Sequence, residues 1–380
     1  MTHRRRMAIG LGSVAVATAL LLSGCSGSSA PSATSSDGLT KVTLQLQWVA
    51  QAQFAGYYAA AAEGYYKDEG LDVTIVPAGT DTVPINEVAK GNADYAISWV
   101  PKVLGSIEKG VNVTDVAQIF ERSGTTQISF ADKGVKTPAD LAGKKVGSWG
   151  YGNQWELFAG MQKAGIDTDS QISLVQQAFD MKGFLAGDID AAQAMTYNEY
   201  AQVLETINPA TGKLYQPSDL NVINWNDYGT AMLQDAIWAD ADKLKDPAFQ
   251  DTTVKFIKAS IKGWVYARDH AQDAADVVTK AGSTLGTSHQ LWMTNEVNKL
   301  IWPSTEGIGM VRSSLWDQTV KIAEGTKDNT GATIITKAPP STAYDNTYVT
   351  KALDALKSEG VDVMGTGYSP LTVTLNEGGN

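Results

Sequence analysis

Strand-like and helix-like segments alternate along most of this 380-residue chain, and this alternation constrains the fold more than any other feature. The first strand-like segment covers residues 42–48, where apolar and polar side chains alternate. A helix-like segment follows at 54–67, and the next strand-like segment covers 71–76. Such a succession predicts a mainly parallel sheet with helices on both faces, because parallel neighbours need a crossover that a helix usually supplies.

The alternation occurs twice along the chain, which predicts two lobes of similar construction. The first series continues with a helix, a strand, a helix and a strand at 82–90, 95–98, 103–109 and 113–120. The second series contains a capped turn, strands and helices at 137–141, 145–148, 154–164, 173–176, 179–186 and 191–195. Each series has enough strands for a sheet of its own, so the predicted fold class is α/β with two lobes.

The rest of the pattern is mainly helical and is expected to brace the first lobe. A helix at 198–207 and a strand at 221–225 complete the second series, and an apolar segment at 231–238 returns the chain to the first lobe. Further helices are predicted at 248–269, 271–281, 288–301, 313–323 and 344–358. The last residues are weakly patterned and carry no functional prediction.

The first 24 residues have the pattern of an export signal. Basic residues at 3–6 precede an apolar run from Met7 to Leu22, which is short for a membrane span. The run leads into Leu-Ser-Gly-Cys, which resembles the lipobox of bacterial lipoproteins and ends at the only cysteine of the chain, Cys25. We therefore expect Cys25 to become the lipidated first residue of the mature protein; the alternative is a free cysteine at an ordinary cleavage site.

A tether separates the expected anchor from the folded part. Residues 25–38 are rich in Ser, Ala and Gly, a composition that cannot bury a core. The predicted boundaries after the tether are 39–127 for the first part of lobe 1, 128–230 for lobe 2, 231–360 for the return to lobe 1 and 361–380 for a tail. The protein is expected to be exported and lipid-anchored on the outer face of the bacterial cytoplasmic membrane, with no other membrane contact.

The charge of the chain argues against nucleic acid and anionic lipid as partners. The formal net charge is −11, and loss of Arg4, Arg5 and Arg6 with the signal peptide would make it −14. A strongly acidic surface repels polyanions. Because the chain has no second cysteine for a disulfide, the folded part must rely on its own core. We also expect a monomer.

Candidate binding residues follow from the rule that ligands of α/β sheets lie outside the carboxyl ends of the strands. The residues just after the predicted strands are Trp48, Gln51, Gln53, Ser98, Trp99, Trp149, Tyr151, Asn153, Thr196, Tyr197, Asn198, Glu199, Asp227 and Tyr228. Phe54 lies at the border between binding and packing, whereas Tyr57, Tyr58 and Tyr65 are expected to pack one face of the first helix. For any single aromatic residue, ordinary core packing is the alternative interpretation.

These residue types suit a flat ligand with polar edges. Trp and Tyr faces can stack on a planar ring, and Gln, Asn and Ser side chains can meet donors and acceptors on its edges. Glu199 or Asp227 could accept a hydrogen bond from a ring N–H or an exocyclic amine. The backbone amides of residues 150–152 could instead receive an anionic group.

The sequence contains no motif that indicates a catalytic, metal-binding or cofactor-binding site. The glycine-rich stretch 147–153 lacks the Gly-Lys-Ser/Thr ending of a phosphate loop, and the chain has no nucleophile elbow, no Cys–His pairing and no metal-binding spacing. His270 and His289 fall in helix-forming regions and are expected to be solvated. Asp94 and Asp190 each precede an inner strand and are expected to be structural. We predict no catalytic residue, metal or cofactor.

Three runs of sequence carry a family resemblance, namely LQWVAQAQFAGYYAAAAEGYYKDEGLDVTI, GNADYAIS and KTPADLAGKKVGSWG. Together they resemble the substrate-binding proteins of ABC importers, in the group that includes thiamine-pyrimidine, alkanesulfonate and riboflavin binders. The most specific part is the spacing of Trp48, Gly56 and Tyr58. The chain departs from thiamine-pyrimidine relatives at Ala50, Gln51 and Phe54, where these often have Pro, Asn and His, so the ligand stays open.

The resemblance implies a type II periplasmic-binding-protein fold that closes on its ligand by a hinge. It implies a non-enzymatic receptor that delivers a riboflavin-like or thiamine-pyrimidine-like molecule to a permease with an ATPase subunit. An alkanesulfonate or nitrate ligand is the alternative. An alternative of another class is an enzyme similar to thiamine-pyrimidine synthases, but those resembled enzymes use a cysteine-rich segment and a histidine, and this chain has only Cys25.

Overall fold

The computed structural model of the chain describes residues 38–79 and 81–380. The predicted signal peptide, Cys25 and nearly all of the predicted tether lie outside the described residues. Within the described ranges, no helix is both long and apolar enough to cross a membrane.

The strands and helices alternate in the first two thirds of the fold, and helices predominate afterwards. The strands are β1 Thr40–Gln45, β2 Leu71–Val76, β3 Tyr95–Trp99, β4 Val113–Gln118, β5 Thr125–Phe130, β6 Lys145–Ser148, β7 Ser173–Gln176, β8 Ala192–Met195, β9 Ile207–Asn208, β10 Lys213–Leu214, β11 Leu220–Asn224 and β12 Asp235–Asp240. The helices are α1 Ala55–Ala62, α2 Tyr65–Asp68, α3 Pro84–Ala89, α4 Val100–Glu108, α5 Trp155–Lys163, α6 Lys182–Leu185, α7 Glu199–Leu204, α8 Pro247–Asp269, α9 Ala271–Lys280, α10 Thr287–Ile301, α11 Ser313–Gly325 and α12 Thr347–Ser358.

The first sheet has the strand order β2-β1-β3-β12-β4. Strand β1 is parallel to both of its neighbours, whereas β12 is antiparallel to β3 and β4. Strands β3 and β4 are buried along their whole length, as expected for inner strands covered on both faces. The predicted α/β class is therefore confirmed, with one antiparallel strand in the first sheet.

The second sheet repeats this arrangement. Strands β6 and β7 are parallel, and β5 pairs antiparallel with both β8 and β11. A single parallel bridge between Val146 and Ala191 joins the two groups, which gives the order β7-β6-β8-β5-β11. The chain crosses from the first sheet to the second before β5 and returns before β12. The two crossings, at 119–124 and 225–234, separate lobe 1 from lobe 2.

Some elements differ from the sequence prediction. Strand β5 was not predicted; nearly all of its side chains are buried, so it shows no alternation of apolar and polar residues. The single helix predicted over 54–67 is two helices, because Gly64 adopts a left-handed conformation with φ of 79° between α1 and α2. The short hairpin β9–β10 falls in a segment predicted only as turns.

Helix α8 packs closely against α1 and thereby braces lobe 1. A Cβ atom at Gly263 would lie 2.0 Å from the carbonyl oxygen of Gly56, and one at Gly56 would lie 2.2 Å from the ring of Trp264. Tyr57 contacts the same indole edge-on, with ring centroids 5.5 Å apart. Gly56 of the family signature thus serves helix packing, and Tyr57 belongs to the core as predicted.

Asp94 and Asp190 are structural, as predicted, and they make equivalent hydrogen bonds in the two sheets. The Asp94 carboxylate accepts a hydrogen bond from the Thr43 amide at 2.9 Å, and the Asp190 carboxylate accepts one from the Lys145 amide at 2.9 Å. Each aspartate thus fixes the start of an inner strand to its neighbour. His289, in contrast, was expected in solvent and is buried between Glu205 and Asn198, because α10 packs against lobe 2.

Candidate functional site

A cavity of about 820 Å³ lies at the carboxyl ends of β1, β3, β6 and β8, and both lobes contribute to its wall. This volume is in the upper part of the range for small-molecule sites, roughly 300–1,000 Å³. Its aromatic lining comprises Trp48, Trp99, Trp149, Tyr151, Trp155, Phe179 and Tyr197. Polar and charged side chains in the lining include Gln47, Gln51, Gln53, Ser98, Lys102, Asn153, Asn198 and Glu199.

Most of the predicted binding residues come together in this lining. They are Trp48, Gln51, Gln53, Ser98, Trp99, Trp149, Tyr151, Asn153, Tyr197, Asn198 and Glu199. The ring of Tyr151 is 83% exposed and its φ of 52° is left-handed, which costs a non-glycine residue about 1–2 kcal/mol. The strand-end rule therefore located the cavity from sequence.

Four predicted residues are not brought to the cavity. Phe54 is fully buried in the core of lobe 1, and Thr196 is turned inward, with its carbonyl accepting a hydrogen bond from the Trp292 indole at 3.0 Å. Asp227 and Tyr228 lie in the turn after β11, which folds away over α5. The Tyr228 ring packs on a tryptophan of the lobe 2 core, and its carbonyl accepts a hydrogen bond from Lys163.

A buried carboxylate that the sequence prediction missed organises the lobe 1 side of the cavity. Gln47, Gln53 and Trp99 all donate side-chain hydrogen bonds to Asp235, at 3.0 Å for Gln53 and 2.8 Å for Trp99. The Gln51 side chain donates in turn to the side-chain oxygen of Gln53 at 2.8 Å. Burial raises the pKa of Asp235 to about 7, although its three donors oppose that rise. Asp235 thus fixes the orientation of three side chains that line the cavity.

Gln193 has the same role in lobe 2. Its carbonyl oxygen accepts hydrogen bonds from the Ser148 hydroxyl at 3.0 Å and the Trp149 amide at 3.2 Å, and its amide group donates to the Asn153 carbonyl. One buried glutamine of β8 therefore holds both ends of the glycine-rich loop that lines the cavity.

Two of the three loop amides that the sequence suggests as a site for an anion are already hydrogen-bonded. The Gly150 amide donates to the Ser148 hydroxyl at 3.2 Å, and the Gly152 amide donates to the Gln154 side chain at 3.0 Å. Both hydrogen bonds lie within the loop itself. The Gly150 and Gly152 amides are therefore not available to an anionic group.

Glu199 brings a buried carboxylate to the lobe 2 wall. One oxygen accepts a hydrogen bond from the Met195 amide at 3.0 Å, and the other accepts one from the Asn198 side chain at 3.1 Å. Burial raises the pKa of Glu199 to about 7. Each carboxylate oxygen has a second lone pair, so Glu199 can still accept from an N–H group on a ligand.

Phe179 connects the aromatic residues of the two lobes. It precedes α6, is 40% exposed, and lies 4.9 Å from the ring of Trp48. Its ring is also nearly parallel to that of Trp149, with centroids 6.3 Å apart and an interplanar angle of 17°. The sequence pattern predicts Phe179 as the first residue of a helix, three residues after the predicted strand 173–176, and it is not among the candidate binding residues.

Helix α10 supports the cavity loops of both lobes from behind. The side-chain oxygen of Gln290 accepts a hydrogen bond from the backbone amide of Ala52 at 2.7 Å, which anchors the loop between β1 and α1 in lobe 1. One residue earlier, His289 pairs through Nε2 with the Asn198 side chain at 3.1 Å and through Nδ1 with Glu205 at 2.9 Å. This helix therefore links the two walls of the site.

The side chains that line the cavity have the composition of a binding site. Among residues 38–79 and 81–380, no group of three or more His, Cys, Asp or Glu side chains is placed to hold a metal ion. Neither described histidine lines the cavity. The lining combines aromatic faces with hydrogen-bonding edges, which suits recognition of a planar molecule.

The family model described as NMT1/THI5 like matches residues 51–274, more than half of the chain. The chain belongs to the NMT1/THI5-like family. The matched region includes most of the cavity lining in both lobes.

Relatives of this NMT1/THI5-like protein include binding proteins and synthases. It is 26% identical to a formylaminopyrimidine-binding protein of Halalkalibacterium halodurans, over 65% of this chain and 72% of the relative. It is 23% identical to the riboflavin-binding protein RibY of Chloroflexus aurantiacus, over 65% and 68% of the two chains. It is 21% identical to a 4-amino-5-hydroxymethyl-2-methylpyrimidine phosphate synthase of Candida albicans, over 62% and 69%.

Solved structures of periplasmic binding proteins share the fold of this NMT1/THI5-like chain. A putative periplasmic sulfonate-binding protein, SsuA from Methylobacillus flagellatus, aligns with a TM-score of 0.58 at 16% identity, covering 89% of this chain and 99% of that one. The aliphatic sulphonate-binding protein SsuA of Escherichia coli aligns with a TM-score of 0.55 at 15% identity, over 88% and 92%. The predicted periplasmic-binding-protein fold is confirmed.

Proposed function

We propose that this protein is the extracytoplasmic solute-binding component of an ABC importer and that it captures a small planar heteroaromatic molecule between its lobes. One observation carries the proposal: a single cavity is lined from both lobes by tryptophan, tyrosine and phenylalanine faces together with amide and carboxylate edges. The names of two relatives, a formylaminopyrimidine-binding and a riboflavin-binding protein, support the same ligand class.

In this proposal the ligand ring stacks on aromatic side chains and its edges meet fixed polar groups. Trp48, Trp149 and Phe179 provide the faces, since their rings already lie near one another at the lobe junction. Gln51 and Gln53 present amides held in place through Asp235, so little side-chain freedom is lost on binding.

Glu199 gives the proposed site a preference for nitrogen donors. Its carboxylate can accept from the exocyclic amine of an aminopyrimidine or from the ring N–H of a flavin. Because Glu199 belongs to lobe 2 and the Gln53 network to lobe 1, a bound molecule contacts both lobes at once. Binding is therefore expected to favour the closed form of a hinged pair of lobes.

The proposed location and partners follow from the class of protein. Export as a lipoprotein rests on the sequence pattern that ends at Cys25, and the proposed partner is a permease with its ATPase subunit. The protein is proposed to act as a monomer, because a solute-binding protein presents its two lobes to one permease.

The two alternatives have less support. Alkanesulfonate binding is favoured only by the shared fold of the sulfonate-binding neighbours. A synthase activity is favoured by the names of some relatives, but the cavity lining contains neither histidine nor cysteine. The lining thus supports a receptor better than a catalyst.

Titration with representative ligands tests the proposed function. The purified protein would be titrated with riboflavin, with 4-amino-5-hydroxymethyl-2-methylpyrimidine and with ethanesulfonate, while tryptophan fluorescence and X-ray scattering are recorded. We expect at least one heterocycle to quench the fluorescence and reduce the radius of gyration, and ethanesulfonate to do neither. If both heterocycles and their phosphate esters leave the fluorescence and the scattering unchanged, the proposed function is wrong.

A further inference from the structure

Lys102 is a cation in the cavity wall that the proposed stacking and hydrogen bonding do not use. It lies in the first turn of α4, directly after β3, and it lines the cavity from lobe 1. Its ammonium group sits 4.7 Å from the centre of the Trp99 ring. Within the described residues it has no hydrogen-bond acceptor and no carboxylate at ion-pair distance, so its charge is balanced only by that ring and by Asp235 farther away.

Within the part of the chain that the structure describes, the residues around Lys102 leave its ammonium group at the cavity wall without a hydrogen-bond acceptor. Its alkyl chain packs along the lobe 2 loop, since a Cβ atom at Gly152 would lie 3.4 Å from Lys102 Cγ. The Asp235 carboxylate is already occupied by Gln47, Gln53 and Trp99. Partial burial lowers the pKa of Lys102 to about 8, a sign that its charged form lacks solvation. An ammonium held this way gains from any anionic acceptor that enters.

Other groups that could receive an anion are less suited. The amides of Gly150 and Gly152 are hydrogen-bonded within their loop, and Lys109, which also borders the cavity, is exposed near the end of α4. Exposed charges are screened by water and contribute little. Lys102 is therefore the group at which an anion would gain most.

We propose that the ligand carries an anionic oxygen group, such as a phosphate, sulfonate or carboxylate, beside its planar ring, and that Lys102 pairs with this group. The inference rests on the proposed function, because it assumes that a ring occupies the aromatic part of the same cavity. It adds a second recognition element at the lobe junction, where Lys102 of lobe 1 touches Gly152 of lobe 2. Stacking of the ring fixes the position of the ligand, and pairing of the anionic group with Lys102 fixes its orientation in the cavity.

Pairs of ligands that differ only by a phosphate test this inference. The pairs are riboflavin with riboflavin 5′-phosphate, and 4-amino-5-hydroxymethyl-2-methylpyrimidine with its phosphate ester. Dissociation constants would be measured by calorimetry for the wild type and for Lys102→Met, Lys102→Arg and Lys109→Met. Methionine keeps the apolar chain over Trp99 without the charge, arginine keeps the charge, and Lys109→Met is the matched control on the same helix.

We expect the wild type to bind the phosphorylated member of at least one pair roughly tenfold or more tightly, the factor expected for a charge-assisted hydrogen bond. Lys102→Met should lose this preference and keep the affinity for the neutral member within about threefold, whereas Lys102→Arg and Lys109→Met should retain it. Equal binding of both members by the wild type, or an unchanged preference in Lys102→Met, would overturn the inference and leave the proposed function standing. Failure of all four compounds to bind would overturn both.

Discussion

The ring of Phe179 lies 4.9 Å from the ring of Trp48, and this contact joins lobe 2 to lobe 1 across the cavity. Phe179 also stacks beside Trp149. A planar ligand must therefore insert beside Phe179 or displace it. Under the proposed function this phenylalanine takes part in binding in either case. It follows the predicted strand 173–176 by three residues, but the sequence pattern predicts it only as the start of a helix.

Replacing Phe179 by alanine should weaken the binding of a planar ligand. Loss of one aromatic contact costs about 0.5–1.5 kcal/mol, which is roughly a threefold to tenfold rise in the dissociation constant. Since the side chain is partly exposed, the melting temperature should change little. Calorimetric titration of Phe179→Ala, with Phe179→Tyr as the control that keeps the ring, checks this. Equal affinities for the alanine and tyrosine variants would contradict the role of the ring.

Replacing Asp235 by asparagine should impair both stability and binding. Asparagine has one side-chain acceptor oxygen and a donor group where the carboxylate receives Gln47, Gln53 and Trp99, so at least one buried donor loses its partner. The expected loss is about 1–3 kcal/mol in the free energy of unfolding, with a weaker affinity because the glutamines lose their orientation. Urea unfolding and calorimetry measure the two effects. An Asp242→Asn variant, on the exposed surface, should show neither.

Glu156 should make the stability of the protein depend on pH. Its carboxylate accepts hydrogen bonds from the Ser123 hydroxyl at 2.7 Å and the Met232 amide at 2.7 Å, and burial raises its pKa from 4.5 to about 8. A carboxyl group whose pKa is higher in the folded state stabilises the fold fully below pH 4.5, and that stabilisation is lost as the pH rises towards 8. The loss should be roughly 2–4 kcal/mol over this range.

Unfolding by urea at pH 5 and at pH 8, for the wild type and for Glu156→Gln, checks the sign. The glutamine variant cannot ionise, so its stability should be close to that of the wild type at pH 5 and exceed it at pH 8. A difference between the two proteins that is the same at both pH values would show that ionisation of Glu156 does not contribute.

Replacing His289 by alanine should weaken ligand binding even though this residue does not line the cavity. The change leaves Glu205 and Asn198 without their buried partner and releases the loop that presents Asn198 and Glu199. We expect a loss of about 1–3 kcal/mol in stability and a several-fold weaker affinity. His270→Ala provides the control, because His270 is exposed and should leave both quantities unchanged. An unaltered affinity in His289→Ala would limit that residue to a structural role.

Much of the fold and of the cavity follows from the sequence, because periodicity marks strands and helices and strand ends mark the site. Trp48, Trp99 and Trp149 were found in this way. Asp235 was missed for a geometric reason: β12 runs antiparallel to β3, so its first residue, and not its last, lies opposite Trp99 at the edge that borders the cavity. An isolated acid within the predicted apolar segment 231–238 was the available signal.

The other omissions have similar causes. Gln193 lies within a strand, where a rule that considers only the residues after strands does not look. Lys102 follows β3, but the prediction extended only to Ser98 and Trp99 after this strand. Strand β5 shows no alternation because both of its faces are covered. Asp227 was predicted wrongly to approach the cavity, since the direction of the turn after β11 depends on its packing over α5, which no local pattern encodes.

Asp235 is at once the first residue after the return crossing and the common acceptor for three ligand-facing side chains. A substitution at this one position therefore changes both the start of β12 and the orientation of Gln47, Gln53 and Trp99. Attempts to convert the protein into a sensor for a new compound should leave this aspartate in place and diversify Tyr151, whose exposed side chain can be varied without removing that shared acceptor.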